Sequence, residues 1–374
     1  MATSLYLHVP FCVSRCGYCS FYSGEPLSML SEYPRLVKKE FALAKDCEKL
    51  STFYMGGGTP GLLGAKAIGE IMEAAQKSFG LAPSSEITIE TNPCVDNDFA
   101  ALRGAGINRV SIGAQALDDE ILTRLGRAHT SAEALASIAA ALKAGVSVSA
   151  DLIYGHAGSS PAKLSRWAKE LAALGVGHIS AYSLETPKSR KKAQGLRRAG
   201  IKKAGASEEA QHKALLETLS AEGFHCYEVS NFARPGFESR HNKVYWSGES
   251  YIGAGPGAHG FLKEIGPYGT RYENSPSLEK YRASLLRGEP PPRKSEELSW
   301  NEALLETLFL ALRQNAPLKP EKIALRYGLK LETLRDSLSR LAQQGDLCAK
   351  TLSPTLKGMQ RADGLALWLL DRLL

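Results

Sequence analysis

A chain of 374 residues with 44% hydrophobic and 23% charged residues has an ordinary globular composition, and about 150 residues per domain divides it into roughly two to three domains. Its net charge of +7 does not describe a nucleic-acid-binding face, because residues 188–203, KSRKKAQGLRRAGIKK, hold eight Lys and Arg and no acid and leave the remainder at −1. That segment reads as a solvated charge run or a contact for an anionic group such as a propionate or phosphate. MATSLYLHVPF lacks the basic start of a signal peptide and LALWLL is far short of a membrane span, so the expected setting is the reducing cytoplasm.

Strand patterns come first along the chain. SLYLHV (4–9), STFYM (51–55), EITIE (86–90), NRVSIG (108–113), SVSADLI (147–153) and HISAYS (178–183) are β-rich and alternate with helical stretches. AKAIGEIMEAAQKSF (65–79), SAEALASIAAALKAG (131–145) and AKLSRWAKELAALG (162–175) are the clearest helices, and glycine follows or ends several of them. Six strand–helix units predict parallel strands in a partial (β/α)6 TIM-like barrel over 1–204, short of the eight units of a closed barrel. A doubly wound sheet is the runner-up. Residues 205–295 form a Gly- and aromatic-rich connecting region in which NFARPGFESRHNKVYWSGESYIGAGPGAHG (231–260) reads as loops and short strands. Helical patterns return in 296–374, a C-terminal α+β region whose three helices, short ribbon and last helix resemble a winged-helix module.

The first strand runs straight into FCVSRCGYC, which puts three thiols at i, i+4 and i+7. Seven cysteines cannot all pair internally, and a tight group in a non-secreted chain points to a metal or redox site. Zinc needs a fourth protein ligand to close a structural site, for which His8 is the nearest side chain. An iron–sulfur cube held by three thiolates keeps one iron open to a substrate or cofactor. The remaining strands also end in chemistry: GGGTP (56–60) after the second, Glu90 after the third, Gln115 after the fourth, Asp151 in the fifth and Tyr182 in the sixth. In barrels of this kind that rim carries the active site. The isolated Cys47, Cys94, Cys226 and Cys348 read as small buried residues.

Cys12-x3-Cys16-x2-Cys19 resembles the signature of radical S-adenosylmethionine (SAM) enzymes. YLHVPFCVSRCGYCSF, GGGTP, NRVSIGAQ, LGRAH, EVSNFARPGF, RHNKVYW and IGAGPGAHG together resemble the HemN/HemW group of oxygen-independent coproporphyrinogen III oxidase-like proteins. The resemblance implies a 4Fe-4S cluster on Cys12, Cys16 and Cys19, with SAM on its open iron and an electron from the cluster cleaving the sulfonium to a 5′-deoxyadenosyl radical. It places Tyr6 and Tyr18 against cluster and cofactor, and Gly57, Gly58 and Thr59 beside the methionine part of SAM. Glu90 would accept from the SAM amine or ribose, with Gln115, Arg127 and Asp151 completing the polar shell. Core aromatics and a structural salt bridge are the alternatives for the two tyrosines and Arg127.

Phe21 stands where the true oxidases resemble one another in a further cysteine, and five residues precede Tyr6. These features and HNKVYW favour the HemW branch, which implies a heme chaperone that transfers heme to an acceptor protein. An electron donor would serve the cluster, nucleic acid is not expected, and membrane contact would come only through an acceptor. His241, Asn242, Tyr245 and Trp246 are then the heme candidates, His241 as axial ligand, with Cys226, His225 and His259 as alternatives. The competing functions are radical decarboxylation of coproporphyrinogen III, a heme-degrading radical methyltransferase and a nucleic-acid-associated winged-helix protein with a structural cluster. HAGSS (156–160) and Gly61 depart from the group's usual turn and Ser/Thr, which bears on pocket shape.

Overall fold

The computed structural model describes residues 3–44, 48–184 and 207–374. Cys47 and the basic segment 188–203 lie outside them.

Strands β1 (Ser4–Val9), β2 (Leu50–Gly57), β3 (Leu81–Thr91), β4 (Arg109–Gln115), β5 (Ser147–Tyr154) and β6 (His178–Ser183) stand side by side in sequence order, each parallel to the next. Hydrophobic side chains alternate with polar ones too rarely for a half-exposed sheet: SLYLHV is buried at every position except Tyr6. Such runs suit parallel strands covered by crossover helices. Those helices include Tyr33–Leu43, Gly64–Ser78, Ser131–Lys143 and Pro161–Ala173, the last three close to the predicted spans. Thr130 and Glu133 form a capping box at the start of the third, and the Ser160 hydroxyl caps the fourth. The open six-unit barrel expected from the alternation is present.

Both edges of the sheet are extended by later chain. β9 (Ile252–Ala254) pairs parallel with β1, while β8 (Asn231–Ala233) pairs antiparallel with β6 and carries β7 (His225–Glu228) outside it. Thus the connecting region supplies strands to the barrel sheet itself. RHNKVYW, expected among loops and strands, is a helix, Arg240–Trp246. The Ser239 hydroxyl accepts from Asn242 N, and the Glu86 carboxylate accepts from the N–H groups of Arg240 and His241, both at 2.9 Å. A carboxylate at a helix start satisfies orphan donors and the local dipole together.

A three-stranded antiparallel sheet, β10 (His259–Leu262), β11 (Thr270–Asn274) and β12 (Arg293–Glu297), leads to helices Trp300–Leu312, Pro320–Tyr327, Leu331–Gln343 and Ala362–Leu373. These helices share their own apolar core around Leu304, Leu308, Leu338 and Leu369. The ribbon expected before the last helix is represented by a single bridge between Leu347 and Pro354. Among the described residues no helix is long and apolar enough to cross a membrane.

Candidate functional site

The cysteine loop is shaped by its own ends and by β2. Gly24 N and Glu25 N both donate to Pro10 O, at 2.9 and 3.1 Å, which closes the loop at its base. Gly58 N donates to Val9 O at 2.8 Å and Thr59 N to Phe11 O at 2.7 Å, so the end of β2 is stitched along the loop's start. This close approach is what the glycines permit. Gly57 has φ +104°, and a Cβ on Gly58 would stand 2.4 Å from Phe11 O and 2.8 Å from Val9 O. Because both obstacles are backbone, Gly58→Ala is expected to lower the stability of the ligand-free protein by about 1–3 kcal/mol, read as a lower urea midpoint.

Cys12, Cys16 and Cys19 line one cavity of about 1390 Å³, together with Tyr18, Gly57, Gly58, Thr59, Glu90, Gln115, Arg127 and Asp151. The structure therefore brings most of the predicted SAM set to one wall. Thr59 Oγ1 donates to Cys12 Sγ at 3.6 Å and Arg127 Nη1 to Cys16 Sγ at 3.4 Å. Donors aimed at sulfur suit thiolates, and three soft ligands on one loop beside open space suit an iron–sulfur cluster with one iron left for another molecule. His8 does not complete the set: it is buried, with Nδ1 3.1 Å from the Tyr6 hydroxyl and Nε2 2.7 Å from Tyr22 O.

Arg127 is the hub of the rim. Its Nη2 donates to Asn92 Oδ1 and, at 2.9 Å, to Gly113 O, while Asn92 Nδ2 donates to Thr59 Oγ1 at 2.9 Å. Asn92 thus links both sulfur-contacting side chains, a role for which its position just past β3 was the available signal. Gln115 sits at φ +65° where the β4–β5 register shifts. A bulge in that left-handed conformation redirects a strand-end side chain, and Gln115 faces the cavity.

Deeper in the barrel, Tyr54 OH donates to Glu90 Oε1 at 2.7 Å and Gly57 N to Oε2 at 3.1 Å. Burial nevertheless pushes the Glu90 carboxyl up to about 7, with the Asp151 charge adding to the rise. Asp151 is also raised by burial, against the hydroxyls of Ser180, Ser111 and Ser149. Ser111 Oγ lies 2.9 and 3.0 Å from its two oxygens. Tyr54, Arg109 and Ser111 line the cavity as well and had no assigned role in the sequence reading.

Other candidates go elsewhere. Tyr6 does not line the cavity; its ring stacks on Tyr54 with centroids 6.2 Å apart. Of the four heme candidates Asn242 alone reaches the cavity wall. His241 is buried, its Nδ1 2.8 Å from Thr52 Oγ1 and its Nε2 2.7 Å from the Tyr245 hydroxyl. Its ring stacks on Tyr54 at 5.1 Å, and burial holds its pKa down to about 3, the charge of Arg109 adding to the fall. With both nitrogens engaged, His241 offers no lone pair to an iron in this arrangement. Trp246 is half-buried outside the cavity, its carbonyl accepting from Gln314 Nε2 at 2.8 Å. Among the isolated thiols Cys226 is buried, as expected, whereas Cys94 and Cys348 are exposed. Their loop positions leave them without a packed shell.

A three-thiol loop past the first of six parallel strands, beside a glycine-lined strand end, defines the class, and the model of the Radical SAM superfamily matches residues 6–171. That superfamily implies a 4Fe-4S cluster and SAM. The chain is 37% identical to the heme chaperone HemW of Mycobacterium tuberculosis strain H37Rv, over 84% of this chain and 83% of that protein. It is 32% identical to HemW of Bacillus subtilis strain 168, over 91% and 92%. The chain belongs to the HemW family. In fold it is similar to coproporphyrinogen III oxidase (HemN) of Escherichia coli, with TM-score 0.81 and 21% identity over 100% of this chain and 91% of that one.

Proposed function

We propose that this protein is a heme chaperone of the cytoplasm: it holds a 4Fe-4S cluster on Cys12, Cys16 and Cys19, binds SAM beside it, takes up heme and passes it to an acceptor protein. The observation that carries the reading is one cavity of about 1390 Å³ running from the thiols to the C-terminal helices. Single-ligand pockets occupy roughly 300–1,000 Å³, so this space suits a cofactor and a second, larger molecule together. Relatives that share most of their length with this chain are named heme chaperones.

When bound, the cluster supplies one electron to the sulfonium of SAM. The chain's own residues do the rest of the binding work. Gly57, Gly58 and Thr59 expose backbone to the zwitterion, Glu90 accepts from the amine or ribose, and the Arg127 fork steadies a carboxylate and the Cys16 thiolate together. Tyr18, Gln115 and Asp151 close the polar shell. An electron donor reaches the cluster from outside, where Phe21 is 61% exposed in the place of a further cysteine.

The test is anaerobic reconstitution with iron and sulfide, followed by SAM, hemin and then a heme-free globin as surrogate acceptor. A cluster spectrum perturbed by SAM, a Soret band on adding hemin and movement of that heme to the globin are expected. Decarboxylation of coproporphyrinogen III with SAM and a reductant would replace this reading with the oxidase one.

A further inference from the structure

Arg109 opens β4, in register with Thr88 of β3 and with Ser147, the first residue of β5. Its side chain points into the barrel and lines the cavity, yet the residue is only 4% exposed. Its Nε is buried with no hydrogen-bond partner. The carboxylates whose charge it shares are held by others: Glu90 by Tyr54 and Gly57, Asp151 by Ser111 and Ser149. A buried guanidinium N–H without an acceptor is costly, and the planar donor fork of arginine fits a carboxylate.

Asn242 reaches the same cavity from the helix Arg240–Trp246. That helix is fixed beneath the barrel by Glu86 at its N-terminus and by His241, wedged between Thr52 and Tyr245. Accordingly, the histidine of HNKVYW anchors the helix, and the asparagine beside it presents an amide to the cavity. We infer that Arg109 and Asn242 form a carboxylate-binding floor for a molecule held inside the barrel. Resting on the chaperone reading, the carboxylate is a propionate of the tetrapyrrole. On β4 Arg109 stands six positions before the rim residue Gln115 and two before Ser111, which is level with Glu90.

The full, cluster-loaded chain is titrated anaerobically with hemin and with hemin dimethyl ester, and separately with SAM and decarboxylated SAM. Wild-type protein prefers hemin to its ester. Arg109→Gln weakens hemin on the order of 10- to 100-fold and erases that preference, Arg109→Lys restores part of it, and any change in affinity passed on through the Glu90 charge is the same for SAM and decarboxylated SAM. If Arg109→Gln does not fold, the ester comparison on wild-type protein carries the test. Loss of SAM binding but not of decarboxylated SAM would keep the floor and overturn the propionate. Equal binding of all four ligands by wild type and Arg109→Gln overturns the floor itself. A wild-type protein that takes up no hemin overturns the chaperone reading instead, and the SAM pair then decides the floor.

Discussion

Cys16→Ser is expected to reduce iron and sulfide loading to background while leaving most of the hemin Soret band in place. The sulfur of Cys16 is one of three in the loop, and it is the one to which Arg127 donates at 3.4 Å. A serine hydroxyl is a poor ligand for the cluster's iron, and two remaining thiols do not hold a cube that already has an open corner. The substitution also leaves the Arg127 Nη1 without its sulfur partner, so SAM binding should fail together with the cluster. The heme reading depends on the deeper cavity and not on the loop. Iron and sulfide analysis, EPR and hemin titration on the same preparation separate the two effects. Joint loss of cluster and hemin binding would mean that the heme sits on the cluster loop.

Glu90→Gln should change stability and SAM affinity in opposite directions, and both effects should depend on pH. In the folded protein the carboxyl titrates near 7, against an ordinary value of 4.5. Between those values the folded chain binds a proton that the unfolded chain has released, so stability falls as pH rises through the window. The loss is complete above 7 and absent below 4.5. Its full size is about 3 kcal/mol, at 1.36 kcal/mol per unit. Ligand-free wild type should therefore unfold at lower urea at pH 8 than at pH 5, and Glu90→Gln should remove that part of the slope. Its amide also meets the Gly57 N–H, which offsets some of the gain at high pH. SAM affinity should rise with pH across 7 in the wild type, as the acceptor becomes ionised, and stay low and flat in the variant. Calorimetric titrations at pH 6 and pH 8 read this directly; equal slopes in both proteins would remove Glu90 from the SAM site.

The residues that the sequence placed well are those whose chemistry is local. Three thiols within eight positions must lie on one loop whatever surrounds them, and GGGTP after a strand marks a close backbone approach without any knowledge of Val9 or Phe11. The parallel barrel was legible for a similar reason: each strand–helix unit is written within about thirty residues, and burial on both faces leaves a continuous apolar run.

Side-chain direction was not legible where it depends on distant chain. His241 looked like a free ligand in a loop, yet its two nitrogens are taken by Thr52, 189 positions away, and by Tyr245, which becomes a neighbour only because the segment is helical. Tyr6 lies on the strand that leads to the cysteines but does not reach the cavity, stacking instead on Tyr54 of the cavity wall. Arg109 lay inside the predicted strand 108–113 with no assigned role, and the structure places it on the cavity wall. β9 found its partner β1 from far along the chain.

By itself, then, the sequence determined the three-thiol loop, the six repeated units and the rim on which their polar residues collect, because spacing and periodicity act over a few residues. Tertiary structure decided which of the remaining polar groups face the cavity and which are consumed as struts. That choice depends on burial and on hydrogen-bond partners supplied by strands and helices far away in the chain, and no local pattern encodes it.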